Sequence, residues 1–175
     1  NPEEKSAFSI AIELAGKEDV DLIIGTDPDC DRVGVVVRNL DGEYIVLTGN
    51  QTGCLLMEYI LSQKKQKGTL PENAFVAKTI VTTELGRVIA DHYGVEMIEV
   101  LTGFKFIGEK IKEEDEFGHK KFLFGFEESY GYLAGTFSRD KDGVVASMLI
   151  DEMAAFYRTK GMSLYEGLQE LYKQY

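Results

Sequence analysis

Tryptophan is absent from this sequence, proline occurs three times and cysteine twice. The two cysteines, Cys30 and Cys54, lie far apart and outside any paired motif. That spacing excludes a disulfide framework and a zinc-ligand cluster, and points to reduced thiols in a cytoplasmic protein. With so little proline and no low-complexity stretch there is no extended linker, so a junction between domains is expected to be a tight crossing near residues 44–50. Basic charge is also short: 19 Lys and Arg face 30 Asp and Glu, a formal net charge of -11. This balance disfavours a general nucleic-acid surface or an anionic-membrane surface, while leaving room for a local basic pocket. No apolar run approaches the ~20 residues that span a bilayer. The opening "NPEEKSAF" has neither the apolar core of a signal peptide nor an initiator Met, which points to a fragment or processed chain.

What is present is core-forming material, 44% hydrophobic, enough for one full domain and part of another. "NPEEKSAFSIAIELAGK" carries helix punctuation, with Asn1 as cap, Pro2 at the first helical position and Gly16 near the stop. Phe8, Ile12 and Ala15 mark its apolar face, with Ala11 and Leu14 beside them. A strand follows over about Asp21 to Gly25, then an acidic loop, then a hairpin around Asp41-Gly42, a favoured tight-turn pair. From residue 49 onward helix and strand alternate: a helix near 50–65, strands "AFVAKTIV", "VEMIEVL" and "KKFLFGF", helices "TELGRVIADHYG" and "FKFIGEKIKEED". Such alternation predicts an α/β fold with a largely parallel sheet and helices on its faces. Two helices close the chain, the second opening with the capping box Ser163 to Glu166.

The acidic loop "GTDPDCDRVG" raises the chemical question. Asp27, Asp29 and Asp31 alternate in a short turn directly after the apolar run "VDLII". Mutual repulsion disfavours such a cluster unless a cation, backbone N–H donors or water compensates it. A calcium-binding EF-hand loop is excluded, because its sixth and twelfth positions hold Arg32 and Arg38 instead of Gly and Glu. Asp side chains capping their own turn offer a second, structural reading. A hard divalent cation, Mg²⁺ above all, is the better compensator, and ligand sites in open α/β sheets gather beyond the carboxyl ends of strands.

"TDPDCDR" resembles the metal loop of the α-D-phosphohexomutases, the phosphoglucomutase and phosphomannomutase superfamily. There three aspartates hold Mg²⁺ and the following Arg lies close by. "LTGFKFIGEKI" resembles the family's sugar-specificity loop, which implies Thr102, Gly103 and Lys105 as substrate contacts; a plain strand-to-helix turn with a solvated Lys explains the same residues. "FGFEESYGYLAG" resembles the loop in which a Glu and a Ser two positions on bind sugar hydroxyls, here Glu127 and Ser129, with Glu128 less firmly placed. A carboxylate and a hydroxyl together fix adjacent sugar hydroxyls by accepting and donating. "FSRDKDGVVA" places Arg139 and Lys141 before a helix start, a corner suited to phosphate. The order of the four stretches matches the family across essentially the whole chain.

The resemblance implies a mixed, largely parallel α/β sheet with helices on both faces over 46–175, preceded by part of another α/β domain over 1–45. It also implies a two-step phosphoryl relay, through a phosphoserine and a bisphosphorylated intermediate, between C1 and C6 of a hexose phosphate. Arg32 and Lys141 are the candidate catalytic residues, Asp27, Asp29 and Asp31 the metal ligands, and hexose phosphate and hexose bisphosphate the partners. "EESYGY" and "TGFKFIG" look most like phosphoglucomutases or phosphopentomutases, and less like phosphomannomutases. The family's phosphoserine motif and its C-terminal phosphate-binding domain are both missing, so the remaining domains of the parent chain are implied partners. No His follows the Glu-x-Ser, and His92 and His119 read as structural or solvated. An Asp-x-Asp phosphatase or glycosyltransferase lacks its accompanying motifs here, and a sugar-phosphate-binding module is the non-enzymatic alternative.

Overall fold

A computed structural model describes residues 1–175. The expected helix does not start at Asn1. A single 3-10 turn over Lys5–Phe8 leads into α1, Ser9–Glu18. The reason is that Pro2 is buried, with its carbonyl packed where a Cβ of Gly34 would stand, so the opening residues seat against a strand. The helix also runs past Gly16 and stops at Asp19, which adopts the left-handed conformation that Asp tolerates (φ 52°). Phe8 and Ala15 are buried as expected, whereas Leu14 is 58% exposed.

Three strands follow: β1 (Leu22–Thr26), β2 (Val33–Arg38) and β3 (Tyr44–Leu47), an antiparallel sheet in the order β1-β2-β3. Gly25 and Gly34 are cross-strand partners, and the Phe8 ring lies over the pair in space that side chains would fill. The hairpin forms where expected, but not with a two-residue turn. Only Gly42 has positive φ, 83°, while the type I′ turn requires it at Asp41 as well. The loop closes instead through Asn39, whose N–H donates to Glu43 O at 2.8 Å and whose side-chain oxygen accepts from the amides of Asp41 and Glu43.

After α2 (Gly49–Gln66), capped reciprocally by Thr48 and Gln51, the second sheet is built. Its elements are β4 (Ala74–Thr79), α3 (Leu85–Tyr93), β5 (Glu96–Val100), α4 (Phe104–Glu116), β6 (Lys121–Glu127) and β7 (Gly131–Ala134). Strand order is β5-β4-β6-β7, with β4 parallel to β5 and β6 and β7 antiparallel at the edge. β7 falls within the stretch "FGFEESYGYLAG", read from sequence as a sugar-binding loop. The chain ends with α5 (Gly143–Thr159) and α6 (Leu164–Gln174), and the Ser163–Glu166 capping box is present.

Helices cover both faces of the second sheet. Phe104, Ile107 and Ile111 of α4 pack with Phe75, Ala77 and Phe122 on one face. On the other, α2, α3, α5 and α6 share a larger core with Val76, Phe124, Phe126 and Tyr132, and this core continues into Val33, Val35, Val37 and Leu47 of the first sheet. The two sheets are therefore joined by one hydrophobic interior. β3 straddles residues 45 and 46, where the division between domains was expected. No helix is long and apolar enough to cross a membrane.

Two glycines test this packing in opposite directions. A Cβ at Gly53 of α2 would overlap the buried Phe126 ring, so Gly53→Ala is expected to destabilise by about 1–2 kcal/mol even after the helix-propensity gain. Gly16 of α1 has nothing within 4 Å, and Gly16→Ala is expected to stabilise by roughly 0.5–1 kcal/mol. Urea denaturation of both variants checks the pair of signs.

Candidate metal and substrate site

The aspartate loop, residues 27–32, joins β1 to β2 and is built around Asp27. Asp27 is buried, its Oδ1 accepts the backbone N–H groups of Asp31 at 3.1 Å and Arg32 at 3.0 Å, and its Oδ2 accepts Arg32 Nε–H at 2.8 Å. Cys30 donates its N–H to Asp27 O and takes a positive φ of 57°, which completes the turn. Burial alone pushes the Asp27 carboxyl up, but the backbone and side-chain hydrogen bonds from Arg32 overrule it and hold the group at about 2. The turn brings one oxygen each of Asp27, Asp29 and Asp31 within 4.8 Å of one another. Ligands of an octahedral Mg²⁺ stand about 3.0 Å apart when adjacent and about 4.2 Å when opposite, so the carboxylates draw together by up to about 2 Å to close the set. All-oxygen, charged donors fit a hard divalent cation.

Two cations flank the aspartates. Besides Asp27, Arg32 holds Glu3 Oε1 at 2.9 Å. Lys141 Nζ lies 3.0 Å from Asp31 Oδ2 and 3.1 Å from Asp140 Oδ1, and 5.6 Å from the centre of the Phe104 ring. Burial works against the Lys141 ammonium, but Asp31 and Asp140 outweigh it and raise the pKa, so the side chain stays charged.

The loop is docked on the second sheet and on the start of α5 by backbone bonds. Val33 N–H donates to Tyr130 O and Gly143 N–H donates to Cys30 O, both at 3.0 Å, and Arg32 forms an isolated antiparallel bridge with Gly131. Gly143 permits this approach, since a Cβ there would stand 2.5 Å from Cys30 O. Glu127 ends β6 at this seam, with 8% of its surface exposed, and Tyr130 turns the chain into β7 with φ 66°. Burial raises the Glu127 pKa, Lys141 opposes that, and the neighbouring Glu128 reinforces it.

The structure thus brings together Asp27, Asp29, Asp31, Arg32 and Lys141, with Glu127 and Ser129 beside them. Thr102 and Gly103 follow β5 at the same carboxyl edge of the sheet, Gly103 with φ 119° just before α4. Phe104, next in sequence, touches Lys141 and links that turn to the aspartates. Lys105 and Arg139 instead share a shallow cleft on the outer face of α4, where Arg139 pairs with Asp115 at 3.0 Å and Lys105 lies 5.0 Å from the centre of the Phe106 ring. Both histidines are exposed, and His92 packs edge-on against Tyr93 and Tyr175. Glu3, Asp140 and Phe104 escaped the sequence reading. Asp140 could be suspected from its place in "RDKD", but nothing local marks Glu3 as the partner of an arginine 29 residues away.

Comparison with known proteins decides the family. Residues 48–175 match the family description "Phosphoglucomutase/phosphomannomutase, alpha/beta/alpha domain III", and residues 1–42 match domain II of the same family. The chain belongs to the phosphoglucomutase/phosphomannomutase family. A phosphoglucomutase of Staphylococcus aureus is 41% identical over 173 residues, 99% of this chain and 30% of the relative. The chain therefore spans less than a third of the length of the curated relatives it matches, and it is a fragment of a phosphohexomutase. A putative phosphomannomutase from Thermus thermophilus superposes with a TM-score of 0.74 at 25% identity, over 98% of this chain and 35% of that one. The N-acetylphosphoglucosamine mutase of Aspergillus fumigatus, solved with GlcNAc-6P and magnesium, shares the fold at a TM-score of 0.60 and 16% identity, over 85% of this chain and 35% of that one.

The depressed Asp27 pKa carries a pH consequence for the metal-free fold. A carboxyl at about 2 when folded, against 3.8 ordinarily, contributes roughly 2 kcal/mol that is present above pH 4 and lost as pH falls through 2. Asp27→Asn, measured by denaturation with chelator present, is expected to lower stability by about that amount at pH 7 and to make little difference near pH 2.

Proposed function

We propose that this chain supplies the metal and sugar loops of a phosphoglucomutase-type enzyme, an isomerase that moves phosphate between C1 and C6 of a hexose phosphate. The observation that carries this reading is the convergence of Asp27, Asp29 and Asp31 within 4.8 Å beside a charged Lys141 and a buried Glu127. The 41% identity to a phosphoglucomutase favours that activity over those of phosphomannomutases and phosphopentomutases. In functional terms we divide the chain into residues 1–45, the end of domain 2 with the aspartate loop, and 46–175, domain 3. β3 is the strand between the two family matches. We place the protein in the cytoplasm, with both cysteines reduced as they stand here.

In this reading Asp27, Asp29 and Asp31 hold Mg²⁺. When bound, the ion neutralises charge on the transferring phosphoryl group. Arg32, fixed by Asp27 and Glu3, presents a guanidinium to a phosphoserine supplied by the rest of the longer protein. Lys141 leaves Asp31 or Asp140 to meet substrate phosphate, and Phe104 limits its swing. Glu127 accepts from one sugar hydroxyl while Ser129 engages its neighbour, and the turn at Thr102 and Gly103 borders the same space. Arg139 and Lys105 join the phosphate contacts once the Arg139–Asp115 pair opens. The bisphosphorylated intermediate turns over within this pocket before the second transfer.

Because the phosphate donor lies outside this chain, the 175 residues alone are inactive. Incubation with glucose 1-phosphate, Mg²⁺ and glucose 1,6-bisphosphate should yield no glucose 6-phosphate, while the longer protein should yield it readily. Appreciable product from the isolated chain, or none from the longer protein, overturns the reading. In the longer protein Asp29→Asn should lower kcat at least about 100-fold, a barrier change of about 2.7 kcal/mol.

A further inference from the structure

Glu128 sits beside Glu127 but is held by a different part of the fold. Glu127 is the last residue of β6 and Glu128 the first of the turn that follows, and there the two side chains part, Glu127 toward Lys141 and Glu128 toward the end of β4. Glu128 Oε2 lies 3.2 Å from Thr79 Oγ1 and 3.0 Å from Thr82 Oγ1, and the two hydroxyls are 2.7 Å apart. Thr79 is fully buried and Thr82 is 3% exposed. Each hydroxyl has as its partners only the other hydroxyl and Glu128. Apolar packing gives no reason for hydroxyls there, since Val fills the same volume without a polar atom to satisfy.

The loop that presents these hydroxyls is itself pinned. Lys78, with none of its surface exposed, donates to Thr82 O at 3.0 Å and pairs with Glu84 at 2.9 Å and Glu99 at 3.0 Å. Asn50, in the first turn of α2, accepts the N–H of Thr83 at 3.1 Å. Gly49 beside it leaves the carbonyl of Glu128 space that any side chain would take. The segment 127–130 is thus tied on one side to the aspartate loop through Tyr130, and on the other to the end of β4 through Glu128.

We infer that Thr79, Thr82 and Glu128 form a latch that sets where Glu127 and Ser129 stand, which makes Glu128 a positioning residue and not a ligand of the sugar. The inference rests on the sugar-binding role proposed for Glu127 and Ser129. Its physical content is that two hydroxyl protons, shared among the oxygens of Thr79, Thr82 and Glu128, hold the residue next to the working carboxylate, so that loop order is set before substrate arrives.

The test uses the longer protein with Thr79→Val plus Thr82→Val, and separately Glu128→Ala and Glu128→Gln. The paired threonine variant and Glu128→Ala should each raise KM for glucose 1-phosphate at least tenfold, change kcat less than threefold and leave the Mg²⁺ activation constant unaltered. Glu128→Gln, which keeps an oxygen to accept from the threonine hydroxyls, should stay within threefold of the wild type in KM. Amide hydrogen exchange over 127–131 should be at least tenfold faster in the paired threonine variant and in Glu128→Ala. Wild-type exchange in both overturns the latch. So does a Glu128→Gln enzyme as damaged as Glu128→Ala, because that result assigns the charge itself to the substrate. If the wild-type protein turns over no hexose phosphate, the functional reading fails, and the exchange rates alone still decide the latch.

Discussion

Two backbone hydrogen bonds, Val33 N–H to Tyr130 O and Gly143 N–H to Cys30 O, join the first sheet and its acidic loop to the turn before β7 and to the start of α5. Two of the four groups, those of Cys30 and Tyr130, belong to turns and not to regular elements, so their pairing requires those turns to hold particular shapes. Cys30 and Tyr130 both adopt positive φ, a conformation that disfavours non-glycine residues and that the surrounding bonds must sustain. The seam brings Asp31 to Lys141 and Lys141 to Phe104, and through them the loops after β5 and β6 come to face one acidic turn. The core running from Val33 and Leu47 into α2, α5 and α6 keeps the two sheets from shifting across that seam.

Charge around the seam is unevenly compensated, and this bears on what it can bind. Asp27 is neutralised by Arg32 and by two amides, and Asp31 by Lys141, whereas Asp29 is exposed with no cation beside it. Counting Glu3 and Asp140, five carboxylates face two cationic side chains. In the proposed function a divalent ion would lower the excess to a single negative charge, and a phosphate would then depend on Lys141 and Arg32 being released from their carboxylates. Under that proposal one set of side chains would hold the loop together and later serve an anion.

Much of this was legible in the residues. Helix and strand alternation after residue 49, the Ser163–Glu166 cap and the Asp27, Asp29, Asp31 spacing all translate directly into local structure. What escaped was set by contacts distant in sequence. Gly131–Ala134 is too short and too glycine-flanked to announce a strand, and becomes one because β6 offers an antiparallel edge. Pro2 looked like a helix start until Gly34 gave its carbonyl a seat. Arg139 and Lys141 are two residues apart and looked equivalent, yet one turns along α4 to Asp115 and the other inward to Asp31. Glu127 and Glu128 are likewise adjacent, and the end of β6 between them sends one side chain to the seam and the other to Thr79 and Thr82.

The most direct check on the centre of this arrangement is anomalous diffraction from crystals of the longer protein soaked in Mn²⁺, a scatterer that takes the same oxygen donors as Mg²⁺. The expected result is one peak within about 2.4 Å of an oxygen from each of Asp27, Asp29 and Asp31. A peak touched by at most one of the three, or none at the turn between β1 and β2, contradicts the assignment of that turn as a metal site.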